Sequence, residues 1–182
     1  MDQTNLQIIR ESFGRVAYTH KTHEKDAEIA NSQSTVTKWI NIVLTTLTSG
    51  SLIGTIITNQ FVLVYLSAVL STVVLAFVIF QLSFNPERKS EIHRYLAKEL
   101  WYIREKYVNL MADIFNEKIT DQDIVVARDK LTEELKFIYK FAPTTSKKAY
   151  AQAQEALKIN EDLTFSDDEI DQFLPDKLRL AK

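Results

Sequence analysis

Apolar and polar residues divide the chain into three stretches. Residues 39–86 carry no Asp, Glu, Lys or Arg, and within them Trp39–Thr58 and Phe61–Phe84 are each a long, mostly apolar run. An α-helix needs roughly 20 residues to cross a hydrocarbon core of about 30 Å, so each run predicts a spanning helix. They meet at Thr58-Asn59-Gln60. So short a junction forces antiparallel neighbours and puts both termini on one side of the bilayer. Asn85-Pro86 stops the second helix and starts the next.

The flanks follow a helical period instead. Leu6, Ile9, Phe13, Val16 and Ala17 share one face of a helix that is expected to run on through Ala27, Ile29 and Ala30 toward the membrane. After Pro86, Leu96, Leu100, Ile103, Tyr107, Leu110 and Ile114 alternate steps of four and three, the spacing of a coiled-coil or bundle seam. That pattern predicts a cytoplasmic oligomer seam. Thr120 is a suitable N-cap for a helix through Ile124, Ala127, Leu131, Leu135 and Ile138, which Pro143 ends. KKAYAQAQEALK predicts a further helix with a weak apolar face, and Ser166-Asp167-Asp168-Glu169 matches a capping box.

The expected fold class is therefore an all-α membrane protein: a two-helix transmembrane hairpin with amphipathic cytoplasmic helices before and after it. The corresponding regions are 1–38, 39–84 (spans 39–58 and 61–84) and 85–182. A buried hairpin in a soluble protein is the rival, but the flanks offer only one apolar stripe each to enclose it.

Charge sets the orientation. Lys25 and Lys38 precede the hairpin, Arg88, Lys89, Arg94 and Lys98 follow it, and the turn has no basic residue. Positive residues resist translocation, so both termini are expected in the cytoplasm, with the chain multi-pass in the inner membrane. The opening MDQTNLQIIRESF lacks the pattern of a secretory signal, so the apolar block is expected to be retained. A net charge of -2 gives no reason to expect direct nucleic-acid binding. The seven acidic residues between Glu161 and Asp176 read as a solvated face or as a surface that docks onto a basic patch.

Candidate chemistry is sparse. With no cysteine, Cys-ligated metal, disulfides and a Cys nucleophile are excluded. His20 and His23 are weak metal candidates, three apart in a polar segment, whereas a closed zinc site needs about four ligands. Glycine-rich phosphate loops and G-x-S-x-G elbows are absent. No catalytic residue, metal or cofactor is expected.

The first span is the informative one. Eight of the residues in Trp39–Thr58 are Asn, Thr or Ser. Thr46, Gly50, Gly54 and Thr58 recur every four residues and contain a G-x-x-x-G motif, with Asn41, Thr45, Thr48 and Thr55 in a second line. Small-residue ladders let helices approach closely, and polar groups in hydrocarbon need partners or water. Asn41, Thr45, Thr46, Thr48, Gly50, Gly54 and Thr55 are thus expected to pack helices or line a pore. The bland alternative is that each hydroxyl bonds back to its own helix. Two helices cannot enclose a pore, so conduction implies a homo-oligomer.

The pre-membrane helix RESFGRVAYTHKTHEKDAE, the hairpin with its TNQ turn, the helix from Pro86 and the closing SDDEIDQFLPDKLR together resemble a SLATT-domain protein, a bacterial two-transmembrane effector. The resemblance spans essentially the whole chain. It implies an anti-phage defence effector that forms or gates a pore when triggered by a partner or nucleotide signal. It implies a sensor, nucleotidyltransferase or reverse transcriptase as that partner, and it offers no catalytic residues. The alternative function is a non-conducting membrane scaffold that recruits a soluble partner.

Overall fold

The computed structural model describes residues 3–58 and 60–180, and its helices follow from the patterns above. Asn59, the middle of the expected turn, lies outside the described residues. α1 (Gln3–Thr58) is a single helix of 56 residues. α2 (Phe61–Phe84) and α3 (Pro86–Phe115) follow, then α4 (Asp121–Lys140), α5 (Lys147–Lys158) and α6 (Asp167–Phe173). The described residues contain no strand.

The boundaries have local causes. Pro86 is the first residue of α3, where its missing N–H costs nothing. The Asn85 side chain accepts from the Arg88 N–H at 3.0 Å. Thr120 accepts from the Asp123 N–H and Ser146 from the Ala149 N–H. Ser166 and Glu169 form the reciprocal capping box, the Ser166 N–H donating to Glu169 Oε2 at 2.8 Å. That bond holds the Glu169 carboxyl below its usual range. Just past the end of α3 stands a left-handed residue, Glu117 at φ 54°, with the Lys118 N–H reaching back to the Asp113 carbonyl and the Glu117 N–H to that of Ile114.

The chain divides into two compact units, one comprising it through Lys25 and from Ala97 onward, the other Asp26–Leu96. In the first unit Ile9 and Val16 of α1 join Leu100, Ile103, Tyr107, Leu110 and Ile114 of α3 and Ile124 and Leu131 of α4 in one apolar core. Leu6, Phe13, Ala127, Leu135 and Ile138 pack against it. The face expected of α5 was weak; in fact Ala149, Ala153 and Ala156 are all buried. Alanines at i, i+4 and i+7 lie on one side of a helix, and a hydrophobicity count undervalues them because each is small. The acidic run is partly occupied at home: Asp162 sits 3.0 Å from the buried Lys21 ammonium, which also pairs with Glu24 at 2.7 Å. Burial by itself would lower the Lys21 pKa, but these bonds outweigh it and raise it.

In the second unit, the pre-membrane part of α1 buries Asp26, Ala27, Ala30 and Ser34, and α3 buries Ser90, His93 and Leu96. Ser90 donates to the Ala27 carbonyl at 2.9 Å. The remainder of this unit is the hairpin.

Candidate functional site: the membrane hairpin

The apolar parts of α1 and α2 are long enough to span a bilayer, and only 6% of each apolar window is buried within the chain. Ile56, Phe61 and Leu82 are more than three-quarters exposed. A core helix of a soluble protein would be mostly covered, so the surroundings that fit these surfaces are lipid.

One face of α1 turns toward α2. Asn41, Leu44, Thr48 and Thr55 are half-buried and Ser51 is buried, at alternating steps of three and four. On α2 the covered positions are Leu63, Ser67, Leu70, Val74, Phe77, Val78 and Gln81. Ser51 and Ser67 make the polar contact between the helices: their hydroxyl oxygens lie 2.7 Å apart, and Ser51 donates onward to the Thr48 carbonyl at 2.9 Å. A Cβ on Gly54 would lie 3.1 Å from Leu63 Cδ1, so Gly54 is small because α2 passes close by.

The expected polar residues thus fall into two groups. Asn41, Thr48, Gly54 and Thr55 lie on the hairpin's inner side. Thr45, Thr46 and Gly50 remain exposed with Ser49, and a Cβ on Gly50 would meet nothing within 4 Å. Back-bonding is real for several: Thr46, Thr48 and Thr55 donate to the carbonyls of Ile42, Leu44 and Ser51. This satisfies the hydroxyl donors but leaves their lone pairs free for a further partner. Ser51 and Ser67 escaped sequence reasoning. Their signal was positional, since Ser51 precedes the turn by about as many residues as Ser67 follows it.

The seam residues are placed differently from expectation. Leu96, Leu100, Ile103, Tyr107, Leu110 and Ile114 are all buried, between 0% and 6% exposed, inside a single chain. From Leu100 onward they face α1 and α4, so a second copy does not find them open.

The histidines are also internal. His20 Nδ1–H donates to the Ala97 carbonyl at 2.8 Å, and its ring lies tilted against Trp101 at 5.3 Å between centroids. His23 and His93 are buried. Among the described residues no three metal-ligating side chains converge. Burial holds His20 below its ordinary pKa, opposed by the Ala97 bond and Glu24 and aided by Lys21 and Arg104. Burial likewise lowers His93, opposed by Asp26 and aided by Lys89. Both rings are therefore favoured neutral in the fold. Below the unfolded value of 6.5 the unfolded chain binds more protons than the folded one, so stability falls with pH. The midpoint of thermal unfolding is expected to drop between about pH 7.5 and 5.5, and less steeply in His20→Gln/His93→Gln. Identical slopes for the two proteins would show that these rings do not titrate with unfolding.

Residues 6–169 match the SMODS and SLOG-associating 2TM effector domain family 4. The chain belongs to this SLATT family. The match covers the pre-membrane helix, the hairpin, the core of the first compact unit and the capping box. No curated protein and no solved structure matches the chain. As a SLATT protein it is a two-transmembrane effector associated with defence systems, of a family named for its association with SMODS and SLOG. Its two apolar helices are the two transmembrane segments of that name.

Proposed function

We propose that this SLATT protein is an oligomeric effector of a bacterial anti-phage defence system that forms or gates a pore in the inner membrane. A partner or a nucleotide signal triggers it, and both termini lie in the cytoplasm. The observation that carries this reading is the exposed side of α1, where Thr45, Thr46, Ser49 and Gly50 are left open by α2 in a segment otherwise facing hydrocarbon. Polar and small side chains at bilayer depth suit helix contact or water better than lipid. Assembly is assigned to that face because the Leu96–Ile114 seam is already covered. The basic residues on both flanks set the orientation.

Purified protein in sealed liposomes tests the reading, with dye release followed alone and after addition of its activating partner or nucleotide. Release on activation is the expected result; tight vesicles in every activated state would sink the pore. A non-conducting scaffold is the second reading, favoured by Phe137, Phe141, Phe165 and Phe173, each at least 65% exposed on the soluble unit. Such a protein would recruit its partner to tight vesicles.

A further inference from the structure

Within the Asp26–Leu96 unit, a groove of about 590 Å³ opens between α1, the end of α2 and the start of α3. Its apolar wall is Val36, Phe80 and Phe84, and its polar lining includes Gln81 and Lys89. The groove lies where the uncharged run of residues 39–86 gives way to charge on both strands of the chain, Lys38 on one side and Glu87 onward on the other. In a membrane this is the level of the headgroups.

We propose that this groove binds an anionic phospholipid, its acyl chain against Phe80, Phe84 and Val36 and its phosphate at Lys89. Three features fit that ligand. Among the described residues no carboxylate lines the groove, so the lining offers no partner to a choline or ethanolamine cation. Lys89 has no ion-pair partner among the described residues, whereas Lys38, near the same level, is held by Glu87 at 2.8 Å. Gln81 Nε2 lacks a hydrogen-bond partner, and a rotation of its side chain would bring this amide donor to a lipid ester or phosphate oxygen in the groove. Basic residues next to a span commonly attract anionic headgroups, but a groove with an apolar wall adds selectivity for a lipid over a free anion. The proposal rests on the membrane placement of the hairpin and is independent of conduction.

The test uses the full chain in nanodiscs of phosphatidylcholine with increasing phosphatidylglycerol, read by native mass spectrometry of retained lipid and by the unfolding midpoint. Phosphatidylglycerol is expected to be retained preferentially and to raise the midpoint, while inorganic phosphate does neither. Lys89→Gln should cut that preference roughly fivefold. Val36→Trp, which fills the groove without changing charge, should lower retention of either lipid, and Arg88→Gln, outside the lining, should leave the preference intact. Equal retention of the two lipids by the unaltered protein would overturn the site. So would a loss in Arg88→Gln as large as in Lys89→Gln, an effect of phosphate alone, or protection of the groove by a second copy in pure phosphatidylcholine.

Discussion

Leu100→Ala is expected to destabilise the helical unit built around α3 and α4 by about 2–5 kcal/mol, the range for emptying a fully buried leucine site. Leu100 is 0% exposed, within the core that holds Ile9, Val16, Ile103 and Tyr107. The removed methyl groups leave a cavity that three helices cannot easily close, because the neighbours belong to α1, α3 and α4. The measurement is denaturant unfolding in detergent, followed by circular dichroism. The loss should be the same at low and high protein concentration, because the partners of Leu100 are in its own chain; an interface residue would show a concentration-dependent loss. Val108→Ala, partly exposed and off the seam, serves as the control and should cost less than about 1 kcal/mol. A Leu100→Ala loss no larger than that of Val108→Ala, or one that disappears at high concentration, would contradict the intramolecular core.

The contrast between those two positions also shows where sequence reasoning succeeded and stopped. The periodic positions of α3 and α4 were legible because helical spacing alone says which side chains share a face. What periodicity does not say is who covers that face. Leu96 to Ile114 have the spacing of an oligomer seam, and the same spacing serves a helix packed within one chain. The caps at Thr120, Ser146 and Ser166 were local and readable. The alanine face of α5 and the Lys21–Asp162 pair were not, because both depend on how remote segments meet. In the hairpin, composition marked the first span as the polar one, but which of its residues α2 covers depends on how the two helices pack. That packing separates Gly54, against Leu63, from Gly50, which is open.

The same separation gives the sharpest functional expectation. Gly50→Leu should leave the hairpin intact while abolishing assembly and membrane leakage, whereas Gly54→Leu should damage the hairpin itself. At Gly54 the first added carbon already lies 3.1 Å from Leu63 Cδ1, so a leucine forces α1 and α2 apart and disturbs the Ser51–Ser67 bond one turn away. That variant is expected to accumulate poorly. At Gly50 a side chain enters open space in the single chain, so any penalty arises only when another helix approaches closely, as small-residue motifs allow. Losing about 1.4 kcal/mol of such contact weakens association about tenfold, and each added interface in a ring multiplies the loss. The variants would be compared by native mass spectrometry of the detergent-extracted complex, by dye release from liposomes and by growth arrest on expression. A Gly50→Leu protein that assembles and leaks like the unaltered chain would remove this face from the pore. One that stays monomeric yet still carries its soluble partner to the membrane would favour the scaffold.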